Sequence, residues 1–257
     1  MRSQVVQWDI HATDAVTQRR FYSSVFGWRC SHPDDPDQYG WMMDQDESML
    51  GGIGQARPGE TPGLSFFVQV DDVAATVAQA EQLGGGTYWG PLSFDNGMVT
   101  ACISDPRGNG VLLIEPSRDG EPYASFPPVT TFAWTWDIQT PEPDSLASFY
   151  ESLFGWTWTG LGDQGWGRLE PGKDGGPEGG ITRDDIDRVI IAIRVDDLHA
   201  AVAAFEREGG SVLREPHHIG GSLNIATCID PEGNHIGLFH FADVEVSDVR
   251  EPSVTTG

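Results

Sequence analysis

The stretch FYSSVFGW at residues 21–28 decides the fold, because it returns 128 residues later as FYESLFGW at residues 149–156. Two further stretches recur at the same offset, since WDI at 8–10 returns at 136–138 and GGI at 51–53 returns at 179–181. An internal repeat this long indicates a duplicated domain, because the repeats of solenoid proteins are much shorter.

The repeat continues to the end of each unit at an offset of 125 residues. VDD at 70–72 returns at 195–197, and DPRGN at 105–109 returns as DPEGN at 230–234. We therefore predict a first domain over residues 1–117 and a second over 130–243. A linker over 118–129, which contains proline, glycine and charged residues, and a tail over 244–257 complete the chain.

The composition excludes several classes of partner. The 257 residues carry a net charge of −24, which argues against nucleic acid and against anionic membranes. The acidity favours either high solubility or a cationic ligand. The chain has no run of 18 apolar residues, and its start lacks the apolar core of a signal peptide, so we expect a cytoplasmic protein, monomeric or homodimeric. The three cysteines are widely spaced and predict isolated reduced thiols.

The local pattern predicts four modules of the order βαβββ. In the first module, the short stretch at residues 5–10 is rich in β-branched and aromatic residues and predicts a strand. Residues 14–26 have helical spacing, with Asp14 as the predicted cap and Gly27 as the stop. The second module begins with a strand at 64–70, followed by a helix that Asp72 caps. The predicted fold class is α+β, with two tandem domains of paired modules.

These motifs resemble those of the vicinal oxygen chelate superfamily, which includes glyoxalases, bleomycin-resistance proteins and extradiol dioxygenases. The resemblance runs from about residue 5 to residue 241, and it rests on FYxxxFGW, VDD and DPxGN, each present twice. It implies that each pair of modules curls into an incompletely closed barrel around a cavity. Two cavities are therefore expected, and each half either closes on itself or exchanges modules with a second chain.

The resemblance also implies where metal ligands would lie, and the sequence departs from it there. The family's metal enzymes use His and Glu side chains on the inner face of the sheet. The matching residues are Gln7, Ser65 and Leu112 in the first half, and Thr135, Ile190 and Gly237 in the second. A fourth position falls near Gly51 and Gly179. Most of these side chains are poor metal ligands or none at all, so we expect no metal and no other cofactor.

Strand parity predicts which side chains line the two cavities. Because alternate residues of a strand share a face, Asp9 faces inward if Gln7 does, and Asp137 does so if Thr135 does. The predicted ligand-binding residues are Gln7, Trp41, Ser65, Phe67, Gln69 and Leu112 in the first half, and Thr135, Trp166, Arg194, His235 and Phe239 in the second. Such a lining is typical of a pocket for a planar organic ligand.

Asp9 and Asp137 are the first candidates for catalysis. A carboxylate between aromatic walls can have a raised pKa and act as a general acid or base, or bind an amine. The alternative is that each only accepts hydrogen bonds where its strand meets the following loop. In the second half, Arg194 could pair with Asp137, which would lower the pKa of that carboxylate.

Three histidines of the second half are the remaining candidates. His217 and His218 are expected in a loop at the cavity mouth, and His235 has inward parity. They could act in acid–base chemistry or hold a metal, or they could be ordinary surface histidines. His11, by contrast, is expected to be exposed.

Three functions remain open on the sequence. The first is metal-independent binding of a small aromatic or drug-like metabolite, either for sequestration and resistance or for a tailoring step in secondary metabolism. The second is a lyase or dioxygenase with unusual metal ligands in the second domain. In the third, one half only stabilises the other.

Overall fold

The computed structural model describes residues 3–58, 60–117, 133–171 and 177–242. The predicted linker and tail therefore lie outside the described residues. Within them, the chain forms two βαβββ–βαβββ units, each built on one eight-stranded mixed sheet that does not close into a barrel. The predicted α+β class and the tandem arrangement of paired modules are confirmed.

The first unit contains eight strands and two helices. Its elements are β1 (Gln4–Ala12), α1 (Ala15–Phe26), β2 (Arg29–Cys30), β3 (Gly40–Met43), β4 (Met49–Gln55), β5 (Gly63–Gln69), α2 (Val73–Gln82), β6 (Gly86–Ser93), β7 (Val99–Ser104) and β8 (Gly110–Glu115).

The second unit repeats this order. Its elements are β9 (Trp134–Thr140), α3 (Pro143–Phe154), β10 (Thr157–Trp158), β11 (Trp166–Glu170), β12 (Gly179–Arg183), β13 (Arg188–Arg194), α4 (Leu198–Arg207), β14 (Ser211–Gly220), β15 (Leu223–Ile229) and β16 (His235–Phe241).

The two modules of each unit pair through their first strands. The strand orders are β2-β3-β4-β1-β5-β8-β7-β6 and β10-β11-β12-β9-β13-β16-β15-β14. The pairs β1–β5 and β9–β13 are antiparallel and lie at the centre of each sheet. In each unit, therefore, the two paired modules come from the same half of the chain.

The ends of the first helix follow from its sequence. Asp14 accepts a hydrogen bond from the backbone N–H of Thr17 at 3.0 Å and thereby caps the helix. Gly27 ends the helix with a φ of 70°, a conformation that costs glycine little. Gly155 ends α3 in the same way, with the same φ of 70°. The repeated FGW is thus a helix stop followed by a strand.

The main hydrophobic core lies between the helices and the sheets and runs through both units. A second, smaller cluster lies on the opposite face of the first sheet. It consists of Val6, Phe67, Cys102, Leu112 and Ile114. The first sheet is thus buried on one face against helices, and its other face forms an apolar wall.

The repeated FYxxxFGW helices lie between the two units. The Tyr22 hydroxyl donates a hydrogen bond to Asp230 of the second unit at 2.9 Å, and the Phe21 ring packs edge-on against Phe205. Reciprocally, the Tyr150 hydroxyl donates to Asp105 of the first unit at 2.9 Å. The two motifs that recur most clearly, FY and DPxGN, therefore hold the two units together.

None of the helices in the described parts of the chain is long and apolar enough to cross a membrane.

Candidate functional site

Asp9 lies at the centre of the inner face of the first sheet. It is opposite Ser65 of β5 and opposite Gly52 of β4, and it is fully buried. The Tyr39 hydroxyl donates a hydrogen bond to Asp9. The Tyr39 ring reaches the carboxylate by passing over Gly52, where a Cβ would lie 2.1 Å from the ring. Burial beside Asp9 raises the pKa of Tyr39 well above its usual value, so the phenol stays protonated.

A buried arginine holds the loop that carries Tyr39. Arg19 of α1 is fully buried, and its guanidinium donates to four backbone carbonyls. Three of these belong to His32, Asp35 and Gln38 of the loop before β3. Because a buried guanidinium needs its donors satisfied, it fixes the path of this loop. The helix thus positions a cavity residue from behind the sheet.

His11 lies between two carboxylates, which corrects the expectation that it is exposed. Its Nε2 is 2.7 Å from an Asp9 oxygen, and its Nδ1 contacts Glu60; only 12% of the side chain is exposed. Burial lowers the pKa of His11, but the two carboxylates outweigh burial and raise that pKa to about 10. His11 also lowers the pKa of Glu60 to about 2, although partial burial opposes this shift. At neutral pH the group is a buried imidazolium with two anionic partners.

A cavity of about 540 Å³ opens beside this charged group on the inner face of the first sheet. The aromatic side chains of its wall are Tyr39, Trp41, Phe67, Trp89 and Phe94, and Leu112 and Ile114 extend the apolar part. Its polar side chains include His11, Glu60, Arg57 and Thr100. A volume and lining of this kind are typical of small-molecule sites.

One side of the cavity is fixed by contacts of Trp89. The indole N–H of Trp89 donates to Glu60 at 2.9 Å, and the Arg57 guanidinium lies 4.1 Å from the centre of the indole ring. On the other side, the rings of Tyr39 and Trp41 pack edge to face with centres 4.5 Å apart. Both aromatic walls are therefore held by neighbours before any ligand binds.

The positions that would carry metal ligands do lie on this inner face, but their side chains do not fit a metal. Gln7, Phe67 and Leu112 follow one another across β1, β5 and β8. Gln7 is buried and both of its amide atoms lack a hydrogen-bond partner among the described residues, whereas Leu112 offers only hydrocarbon. Ser65 already donates to the carbonyl of Gly110 at 3.0 Å.

The nearby acidic group does not replace the missing ligands. Both ring nitrogens of His11 face carboxylates, and these carboxylates raise the pKa of His11 to about 10, so a metal ion would have to displace a strongly held proton. No group of three or more His, Cys, Asp or Glu that could hold a metal ion is found in the described parts of the chain.

The second unit repeats the arrangement around Asp9 with different side chains. Asp137 is opposite Gly180 in the sheet, and the Trp166 indole nitrogen would lie 2.3 Å from a Cβ at Gly180. The side chains of Trp166 and Thr182 act to lower the pKa of the Asp137 carboxyl. Burial outweighs these effects and raises the pKa of Asp137 to about 7. An aromatic donor crossing over a glycine to reach an aspartate is thus common to both units.

The pairing proposed between Arg194 and Asp137 is not found. Arg194 is exposed, and its guanidinium lies 5.8 Å from the centre of the Phe241 ring. Asp137 is opposite Ile190, four residues before Arg194 in β13, which separates the two by roughly 13 Å along the strand. The raised pKa of Asp137 agrees with this separation from Arg194.

The remaining predicted residues take separate places. Thr135 donates to the carbonyl of Glu178, and Phe239 is buried opposite Arg194. In the first unit, Gln69 lies at the end of β5, and its buried side-chain oxygen has no hydrogen-bond partner in the part of the chain that the structure describes. Of the predicted ligand-binding residues, Trp41, Phe67 and Leu112 line the 540 Å³ cavity.

The three histidines of the second unit are not brought together. His217 and His218 belong to strand β14 and not to a loop, and His218 is exposed. His217 of β14 is opposite Ile225 of β15, and His235 of β16 is opposite Ile229 of the same strand. Strand β15 therefore lies between the two histidines, and their partners on it are four residues apart. His235 instead contacts Arg188, with Nη1 3.0 Å from both ring nitrogens.

Reasoning from the sequence missed His11, Tyr39 and Glu60, although a signal for His11 was present. His11 follows Asp9 by two residues in a strand, so the parity that places Asp9 inward also places His11 inward. Its counterpart in the second unit is Gln139, so the repeat contains no second histidine that would have marked this position as a site residue. Glu60 comes from the loop before β5, where no periodicity exists to place it.

Comparison with known proteins agrees with this architecture. The model of the glyoxalase-like domain family matches residues 6–114 and again residues 135–239. A Mycobacterium tuberculosis protein named "Putative glyoxylase CFP32" is 29% identical over 239 residues, covering 88% of this chain and 90% of that protein. "Anthracycline biosynthesis protein DnrV" of Streptomyces peucetius is 26% identical over 136 residues, covering 46% of this chain and 49% of that protein.

Solved structures share the fold at low sequence identity. The Mn(II)-bound glyoxalase of Novosphingobium aromaticivorans superposes with a TM-score of 0.64 at 16% identity, covering 93% of this chain and 82% of that one. Homoprotocatechuate 2,3-dioxygenase of Arthrobacter globiformis gives a TM-score of 0.64 at 17% identity, covering 92% and 79%. Because the family model matches most of the chain, the chain belongs to the glyoxalase-like domain family, with two copies of the domain in tandem, and the resemblance to the vicinal oxygen chelate superfamily is confirmed.

Proposed function

We propose that the protein binds a small planar aromatic metabolite in the 540 Å³ cavity of the first domain, without a divalent metal. The observation that carries this proposal is the aromatic lining of that cavity, which also includes Leu112, at a position where the resemblance implies a metal ligand. The biological role would be sequestration of the compound or one tailoring step on it.

The walls favour a flat ligand. Trp41 and Trp89 line the cavity, each already held in place by a neighbouring side chain. Aromatic walls interact best with a ring that can stack in an offset arrangement or meet them edge-on. Because these walls are held before binding, little side-chain entropy is lost when a ligand enters.

The polar groups at one end favour a ligand with a hydroxyl or carbonyl group. Arg57 and the His11–Glu60 pair lie at the cavity surface and can donate to or accept from such a group. Asp9 lies behind them and holds the positions of Tyr39 and His11. In a tailoring reaction, Arg57 would stabilise an enolate or phenolate oxygen, because its guanidinium lies at the cavity surface and carries a positive charge.

The side chains at the expected metal-binding positions support a role without a metal ion. Leu112 and Ser65 take the places of metal-binding side chains, and Gln7 alone is a weak ligand. The similarity to a protein named for anthracycline biosynthesis makes polycyclic hydroxyquinones a reasonable first class of ligand to test.

The proposal is tested by calorimetric titration with a dihydroxyanthraquinone. We expect saturable binding, and Trp41→Leu should weaken it by about tenfold, since loss of one aromatic contact costs about 1.4 kcal/mol. Trp166→Leu in the second domain is the matched control and should leave the affinity unchanged. Weakening by Trp166→Leu alone would contradict the choice of cavity.

A second measurement separates this function from a metal-dependent lyase or dioxygenase. Titration is repeated after chelation with EDTA and again after Mn²⁺, Fe²⁺ or Zn²⁺ is restored. We expect the same affinity in each case. If binding or turnover disappears on chelation and returns with one stoichiometric metal, the metal-independent proposal is wrong.

A further inference from the structure

A second cavity, of about 320 Å³, lies between the two domains on their approximate two-fold axis. The same elements of each domain line it. Gly63 begins β5 and Arg188 begins β13, while Gly110 begins β8 and His235 begins β16. The two members of each pair are separated by 125 residues, which is the offset of the repeat. The cavity is thus symmetric in its backbone and asymmetric in its side chains.

The first domain contributes glycine at both positions and leaves space. A Cβ at Gly63 would have no neighbour within 4 Å, and one at Gly110 would have none nearer than 3.8 Å. The second domain places an arginine and a histidine at the same two positions. The side chains Arg188 and His235 therefore face a space that the other domain leaves open.

Arg188 and His235 contact each other, but this contact leaves N–H groups of both side chains without acceptors among the described residues. Nη1 of Arg188 lies 3.0 Å from both ring nitrogens of His235, and a neutral imidazole has only one nitrogen that can accept a hydrogen bond. The other ring nitrogen then carries a hydrogen with no acceptor among the described residues. Nε of Arg188 is buried and also lacks a partner there. Each of these two cavity-lining side chains thus has an N–H group without an acceptor among the described residues.

The acidic groups around the cavity are occupied elsewhere. Asp187 accepts two hydrogen bonds from Arg107, at 3.0 and 2.8 Å, and Glu60 is paired with His11. Asp184 lies 3.6 Å from Nη2 of Arg188, which is an ion pair too long for a hydrogen bond. The guanidinium therefore keeps hydrogen-bonding capacity that no carboxylate in the described residues uses.

We propose that this interdomain cavity binds a small oxyanion, a carboxylate or a phosphate, between Arg188 and His235. A planar guanidinium donates two parallel hydrogen bonds to such a group, and the free imidazole N–H supplies a third. The anion would also remove the unfavourable contact between Arg188 and the ring. The His11–Glu60 pair separates this cavity from the aromatic one, so the proposal does not depend on the proposed function.

The experiment measures binding of inorganic phosphate and of acetate at constant ionic strength. Calorimetry gives the dissociation constant, and ¹H–¹⁵N NMR follows the side-chain nitrogens of His235. We expect saturable binding of at least one anion together with a shift of the His235 signals. We also expect the pKa of His235, which burial and Arg188 lower in the free protein, to rise when the anion binds. Binding of phosphate alone or of acetate alone identifies which oxyanion the cavity accepts.

Variants provide the control. Arg188→Gln should weaken binding by tenfold or more, while Arg168→Gln, at an exposed arginine of β11, should not change it. Arg188→Lys should restore part of the affinity, because it keeps the charge and loses the planar pair of donors. The proposal is overturned if neither anion shifts the His235 signals in the unmodified protein, or if Arg188→Gln binds as tightly as the unmodified protein.

Discussion

At the scale of single residues, His11 is the central charged group of the site in the first domain. It lies between Asp9 and Glu60 with 12% of its side chain exposed. Removing one member of a buried ion pair leaves the other charges without compensation, which is far more costly than the pair itself is stabilising. The geometry therefore predicts a strong and pH-dependent contribution of His11 to stability.

The first prediction concerns His11→Gln, which introduces the residue found at the equivalent position, Gln139. At pH 7 we expect a loss of about 3 kcal/mol of unfolding free energy, since Asp9 and Glu60 then face each other without a cation. The pKa of His11 is raised to about 10 from 6.5. Its stabilisation is therefore complete below pH 6.5 and is lost as the pH rises towards 10.

Urea unfolding between pH 6 and pH 10 measures this effect. The unmodified protein should lose stability over that range, and His11→Gln should lose less. His199→Gln, at an exposed position of α4, is the control and should follow the unmodified protein. An unchanged pH dependence in His11→Gln would show that the imidazole is not charged in the folded state.

At the scale of elements, the glycines of the repeated GGI strands are requirements of the sheet. Tyr39 crosses over Gly52, and the Trp166 indole crosses over Gly180, on the way to Asp9 and Asp137 respectively. The side chain that is missing from the strand makes room for a donor from the neighbouring strand or loop. The sequence repeat thus preserves a packing arrangement and not a ligand.

The second prediction is that Gly52→Ala destabilises the first domain by about 1–3 kcal/mol, because its Cβ would lie 2.1 Å from the Tyr39 ring. Chemical denaturation measures the loss, and the ligand affinity should fall with it, because Tyr39 lines the cavity. Gly63→Ala is the control, since nothing lies within 4 Å of a Cβ there. Equal effects of the two substitutions would contradict this account of Gly52.

The elements were predictable from the sequence because their signals are local. The span 14–26 predicted for the first helix is close to the observed Ala15–Phe26, since an aspartate cap and a glycine stop mark its ends. The orientation of Asp9 followed from strand parity. Glu60 and Tyr39 could not be placed, because a loop has no period and its path is set by distant contacts such as those of Arg19.

At the scale of the whole molecule, the two domains are joined by reciprocal contacts. Tyr22 of the first domain donates to Asp230, and Tyr150 of the second donates to Asp105. The backbone N–H groups of Thr13 and Asp14 also donate to Glu232 of the second domain at 2.7 Å. Periodicity predicts the helix at residues 14–26, but it cannot show which domain covers that helix.

The third prediction concerns the Tyr22–Asp230 hydrogen bond. Tyr22→Phe should lower the unfolding free energy by about 1.5–3 kcal/mol, because the buried acceptor loses its charge-assisted partner. Asp230→Asn should lower the unfolding free energy less when it is added to Tyr22→Phe than when it is made alone. The double-mutant cycle checks this with denaturation of all four proteins. Additive losses would show that the two side chains do not interact across the interface.

These reciprocal bonds also suggest how the molecule arose. The tyrosine of each domain bonds to the aspartate of the other domain, and this is the pattern that two identical subunits form across a two-fold axis. A single-domain ancestor could use the same tyrosine and aspartate to form a homodimer. Once gene fusion joined the copies, a substitution no longer appeared twice, and glycine could remain on one side of the axis while Arg188 and His235 arose on the other. Fusion thereby permitted an asymmetry that a homodimer cannot have.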